Sequence, residues 1–141
     1  MKNDMVLRVI GKLLIPFILL FALYVQFHGD YGPGGGFQAG AIVAAAMVFY
    51  AMIYGLSTAR RVLPDALVES MIAAGVLLYL AVGFAGLHFG GNFLDYFVLD
   101  ADPVAGQHRG IFWIELGVAI TVCGVLVKIF YLFAQRGQDQ E

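Results

Sequence analysis

Apolar residues run along this chain in four long stretches separated by short polar ones: Val9–Phe27, Phe37–Leu56, Leu67–Phe89 and Ile111–Phe133. Each is about 20 residues long, enough to cross about 30 Å of hydrocarbon as a helix rising about 1.5 Å per residue. The runs are continuous rather than alternating, and an open sheet would leave unpaired backbone groups in lipid, so spanning strands are not expected. The pattern predicts an all-α integral membrane protein: one membrane domain over residues 1–141, built as a bundle of four transmembrane helices. Basic residues ahead of the first run imitate a secretory signal. No small-x-small cleavage site follows, and Gln26-Phe27-His28 is a poor substitute for one, so the first run is expected to stay as a span.

Composition agrees with this. Hydrophobic residues make up 61% of the 141 and charged residues 13%, against about a quarter charged in soluble domains. Charge then gives the chain an orientation. Of eight Lys and Arg residues, Lys2, Arg8, Lys12, Arg60, Arg61, Lys128 and Arg136 fall on one side of the four-span arrangement. That side should be cytoplasmic, with both termini on it. Arg109 is on the other side, with Asp30, Asp95, Asp100 and Asp102. No basic cluster suits nucleic acid, and Cys123 stands alone in mid-span as a packing residue.

Small residues recur at helical spacing. Gly36, Gly40, Ala44, Ala51 and Gly55 form one stripe in the second span, and Ser70, Ala74, Ala81, Ala85 and His88 share a narrow sector of the third. Gly117, Thr121 and Gly124 share a face of the fourth, opposite Glu115. Small stripes matter in lipid where another helix comes close. An acid and a glycine groove on opposite faces of one span should both avoid lipid. That demand exceeds what three sister helices readily supply, and it predicts a chain embedded in a larger membrane complex.

Two loops on the outer side carry most of the remaining information. The long one, 90–110, contains Asn92 to Leu99, an apolar and aromatic segment expected to lie along the interface with Tyr96 at headgroup depth. Asp102-Pro103 should turn the chain, with Gly106 and Gly110 preceding the fourth span. The short loop reads His28-Gly-Asp-Tyr-Gly-Pro-Gly-Gly-Gly-Phe37. Pro33 fixes its own φ, while Gly34, Gly35 and Gly36 offer positive φ and no β-carbon. Phe37 then opens a helix whose first N–H groups lack intrahelical partners. Such a loop can fold into the bundle, approach another backbone, or hold an anion or carboxylate. No Gly-Lys-Ser/Thr phosphate loop and no dinucleotide fingerprint is present.

These motifs resemble a known family. Tyr24, His28-Gly29, Pro33-Gly34-Gly35-Gly36-Phe37-Gln38-x-Gly40, then Gly90-Gly91-Asn92-Phe93-Leu94 and Ile114-Glu115-Leu116-Gly117-Val118, look like the MrpB/MnhB family of subunits from Mrp-type multisubunit Na⁺/H⁺ antiporters. The likeness covers nearly the whole chain. Asp30 and Ala39 depart from it, standing where the family often has a second loop histidine and a second glycine after Phe-Gln. The resemblance implies a small helical subunit in an assembly of about seven different proteins of the bacterial cytoplasmic membrane. Such assemblies exchange cytoplasmic Na⁺ for external H⁺. Related subunits occur in membrane-bound hydrogenase complexes, which keeps a redox-linked role open.

Among ionisable groups, Glu115 is the main candidate for an ion or proton pathway, because an acid inside a span is costly. Burial penalises the charged carboxylate, which would let Glu115 exchange a proton near neutrality. Its alternative is a structural pair with Arg109 or a neighbouring subunit. Glu69 opens the third span near the depth of Lys12 and Arg60, as an interfacial ion-pair partner or a lesser pathway candidate. Lys12 and Lys128 should extend to the inner surface as anchors. His28, His88 and His108 all reach the outer level, and their spacing does not bring them together. His28 is the third pathway candidate. No metal site, cofactor site, nucleophile–base set or quinone motif stands out.

Three functions compete: a non-catalytic or partly ion-conducting subunit of a cation/proton antiporter, an autonomous small exporter, and a purely structural membrane scaffold. Small four-helix exporters use an acid in the middle of the first span, and here that span has none between Lys12 and His28.

Overall fold

The computed structural model describes residues 5–29 and 31–138. Lys2 and Asp30, which bear on the orientation and on the short loop, lie outside the described residues. Five α-helices follow one another: α1 Met5–His28, α2 Gly36–Tyr54, α3 Leu56–Val62, α4 Asp65–His88 and α5 Pro103–Gln138, with a 3-10 turn at Phe97–Leu99 before α5. Four of them, α1, α2, α4 and α5, are long and apolar enough to cross a membrane. The chain is an all-α, multi-pass membrane protein.

The boundaries differ from those expected of the apolar runs where backbone chemistry intervenes. The second span ends at Tyr54 rather than Leu56, because Gly55 takes φ +92° and donates its N–H to the carbonyl of Ala51. Gly55 therefore closes the helix instead of extending its stripe, and the separate short α3 carries Arg60 and Arg61. α5 begins eight residues earlier than the fourth apolar run. Pro103 occupies a first-turn position, where its missing N–H costs nothing, and the Asp102 carboxylate accepts from Val104 N at 3.1 Å. Gly106 and Gly110 thus lie within α5 rather than before it.

α5 is the central element. It packs against α4 on one side and α2 on the other, while α1 packs against α2 and touches α5 sparsely, with Phe27 and Phe112 stacked at 5.8 Å. Small residues set these contacts. A β-carbon on Gly40 would lie 2.5 Å from the carbonyl of Ala119, and one on Gly117 would lie 2.8 Å from the carbonyl of Gly75. Ala44, Ala51, Val68, Cys123, Val127 and Tyr131 form the core between α2, α4 and α5. Outward faces carry Val9, Leu13, Phe17 and Leu20 on α1 and Leu77 and Phe84 on α4, as lipid contact requires.

Two expectations about faces are corrected. α4 turns Val68, Gly75, Val82 and Gly86 inward, so Ser70, Ala74 and Ala81 are exposed. Volume decides this: α5 needs the glycines of α4 for backbone approach, and the alanine stripe is left outside. On α5, the Gly117 and Gly124 face is covered by α4, and the Glu115 side by the short loop and the start of α2. One chain supplies protein to both faces, so that pattern is not what calls for a larger complex.

The long loop is packed onto the helices. It folds over the end of the bundle at which α4 stops and α5 begins. Phe93 sits edge-on to Phe84 at 5.8 Å and fills the notch at Gly83, while the Tyr96 ring lies on Gly110. Burial, reinforced by nearby Tyr79, holds the Tyr96 phenol above its ordinary ionisation range. Arg109 pairs with Asp100 at 2.5 Å.

Candidate functional site: a carboxylate in a glycine cradle

α1 ends at His28, and the chain reverses tightly. Tyr31 N and Gly32 N both donate to the carbonyl of His28, at 3.0 and 3.2 Å. Gly35 N reaches back to the carbonyl of Val25 at 3.1 Å, and Ala39 N donates to the carbonyl of Gly35 at 3.0 Å to start α2. Gly35 has φ +108°, which an L side chain rarely adopts. A β-carbon on Gly34 would lie 2.8 Å from the Val25 carbonyl. Pro33 is exposed at the tip, and Phe37 points outward with 63% of its surface exposed.

The loop closes around Glu115. A β-carbon on Gly29 would lie 2.6 Å from Glu115 Oε2, and one on Gly35 would lie 2.7 Å from Oε1. Gly36 abuts the main-chain carbonyl of the same residue. The half-buried Glu115 carboxylate therefore rests between two glycines beside the first turn of α2. The N-terminus of a helix is electropositive and its first N–H groups lack intrahelical partners, so a carboxylate is well placed there. Only glycines leave room for it.

An aromatic ladder climbs beside this cradle. Tyr24 stacks on His28 with ring centres 5.1 Å apart, His28 meets Tyr31 at 6.5 Å, and Tyr31 stacks on His108 at 6.0 Å. His28 and His108 are thus joined through Tyr31, while His88 stands beside Phe89. Among the described residues, no three His, Cys, Asp or Glu side chains come together as a metal site would need.

Glu69 lies at the opposite end of the bundle. Lys128 Nζ is 2.7 Å from Glu69 Oε1 and 3.3 Å from Asp65 Oδ1. Arg60 Nε lies 3.3 Å from Asp65 Oδ2, and the Arg60 guanidinium covers the Tyr131 ring at 5.3 Å. Tyr131 OH donates to the carbonyl of Leu63 at 3.1 Å. Lys128 therefore pairs within the fold, tying α4 to α5, while Lys12 is exposed. The structure brings Glu115 and His28 to one end and leaves Glu69 at the other.

Residues 6–128 match the family model described as a domain related to the MnhB subunit of Na⁺/H⁺ antiporters. The chain belongs to the MnhB family. It is 35% identical over 142 aligned positions to the B-type subunit of the Na⁺/H⁺ antiporter of Bacillus subtilis (strain 168), covering 95% of each protein. The B-type Na⁺/H⁺ antiporter subunit of Alkalihalophilus pseudofirmus is 29% identical, over 86% of this chain and 90% of that one. A putative antiporter subunit mnhB2 of Staphylococcus epidermidis is 31% identical, over 91% and 92%. As an MnhB-family protein, the chain is a transporter subunit, with other subunits as its partners.

Sequence reasoning passed over two residues of this MnhB-family chain. Gly29 was noted only within the His28-Gly29 motif, and its contact with Glu115 depends on a turn that spacing does not fix. Gln26 is buried with 6% exposure, and neither its amide nitrogen nor its amide oxygen has a hydrogen-bond partner. An amide inside an apolar run was the available signal.

Proposed function

We propose that this chain is a membrane subunit of a multisubunit Na⁺/H⁺ antiporter, exchanging cytoplasmic Na⁺ for external H⁺ across a bacterial cytoplasmic membrane. Both termini face the cytoplasm, and the glycine loop faces outward. It performs no covalent chemistry. What carries the reading is the end-to-end similarity to proteins named as B-type subunits of Na⁺/H⁺ antiporters. The glycine cradle gives the reading a location. Glu115, with His28 and His108 at the same end of the bundle, forms the outer station at which protons exchange between the medium and the assembly. Glu69 acts as an inner structural anchor through Lys128.

The test compares vesicles containing the whole assembly, the assembly lacking this chain, and this chain alone. Na⁺-driven proton flux is expected from the whole assembly and from neither of the others. Flux from the chain alone, or undiminished flux without it, would overturn the proposal.

A further inference from the structure

Gln26 breaks the rule that buried polar groups are satisfied. An amide without partners in an apolar setting is expensive, and an unpaired donor and acceptor in one side chain compound the cost. Gln26 lines a cleft of about 180 Å³ bordered by Ala22 of α1, Ala39 and Gly40 of α2, Met71 of α4 and Ala119 of α5. Apart from Gln26, the Cys123 thiol and the Met71 thioether, the lining is hydrocarbon or glycine.

Three occupants suit a cleft in a membrane protein, and the amide separates them. A stable buried water needs two to four polar partners, and this lining offers one amide. A lipid chain would fill the space and leave the amide unpaired. A helix from another protein satisfies both features. Small residues such as Ala22, Ala39, Gly40 and Ala119 allow close backbone approach, and polar side chains bond across helices in lipid.

We propose that this cleft seats a transmembrane helix of a neighbouring subunit, which presents an amide, hydroxyl or carboxyl side chain to Gln26. The inference rests on the reading of the chain as one subunit of a larger assembly. The Gln26 amide turns outward to meet its partner by a change of side-chain rotamer. The free chain hides the amide beneath its surface, and the assembled chain uses it.

Gln26→Leu tests this, because it removes the hydrogen bonds and keeps the bulk. The isolated variant in detergent should be as heat-resistant as wild type or more so, since an unsatisfied group is gone. The purified assembly should hold its partner subunits about three- to thirty-fold less tightly, the range for one interhelical hydrogen bond. Opposite signs in the two measurements separate docking from misfolding. A photo-crosslinking residue at exposed Leu23, on the cleft rim, should form an adduct with a single subunit of the assembly. Unchanged subunit retention in Gln26→Leu, or adducts with lipid alone, would overturn the proposal. Wild-type assembly and antiport measured alongside show whether the broader functional reading itself stands.

Discussion

Gly36 lies against the main-chain carbonyl of Glu115 so closely that a β-carbon has no room between them. One turn along, Gly40 meets the carbonyl of Ala119 in the same way. The α2–α5 contact is therefore backbone on backbone, and neither side can yield as a flexible side chain would. We expect Gly36→Ala and Gly40→Ala each to destabilise the fold by about 1–3 kcal/mol, the usual cost of overpacking. Unfolding in mixed detergent micelles measures it. Variants within about 0.5 kcal/mol of wild type, the ordinary range for surface changes, would mean that the helices do not touch there.

The loop makes a sharper contrast over two neighbouring positions. Gly35 combines φ +108° with a carboxylate oxygen where its β-carbon would go, whereas Pro33 is exposed. Gly35→Ala should lose folded protein and antiport together, and Pro33→Ala should lose little of either. The yield of monodisperse protein after purification reads the first, and proton flux in vesicles reads the second. Equal tolerance at both positions would mean that the loop does not close on Glu115.

How far the sequence could be read follows from the kind of interaction at each place. The four spans were legible because an apolar run of that length has few other fates in water or lipid. The cap at Gly55 and the start at Pro103 depend on local dihedral angles and a single side-chain hydrogen bond, which apolar runs do not encode. The inward face of α4 was misread for a different reason. Alanine and glycine both count as small in a periodicity, yet only Gly75 lets α4 reach the backbone of Gly117. Glu115 stood out as an acid in a span. That its carboxylate would lie between Gly29 and Gly35 needed the path of the turn, which three glycines leave unconstrained.

Glu115 can be tested without disturbing that packing. Gln has nearly the shape of Glu and cannot carry a proton on and off, so Glu115→Gln should assemble normally and lose most proton flux. Glu115→Ala empties the cradle and should weaken assembly as well. Native gel electrophoresis of the assembly, paired with flux, distinguishes the two. Full flux in Glu115→Gln would reassign the residue to a purely structural role.

At the end of the bundle opposite Glu115, Lys128 serves two acids at once, Asp65 and Glu69. Replacing it removes the partner of Glu69 and leaves Asp65 with Arg60, whereas removing the more exposed Glu69 spares the Asp65 contact. Lys128→Met should therefore lower the thermal midpoint more than Glu69→Gln does. The double variant should recover part of the loss, because the carboxylate that lost its Lys128 partner is gone. Additive losses in the double variant would show that the Lys128–Glu69 pair contributes nothing measurable, as many exposed pairs do.

Orientation underlies every assignment of an outer and an inner end, and thiol chemistry can decide it. Cys123 is buried, with 4% exposure, and Cys123→Ala supplies a background free of thiols. In that background, Tyr31→Cys marks the glycine loop and Arg61→Cys marks the α3 segment, and both parent side chains are exposed. Basic residues favour the cytoplasmic side, so α3, with Arg60 and Arg61, should face inward and Tyr31 outward. An impermeant maleimide added to intact cells should label Tyr31→Cys and spare Arg61→Cys until the membrane is opened. The reverse pattern would move the Glu115 cradle to the cytoplasmic face, where it would meet the proton after passage rather than before.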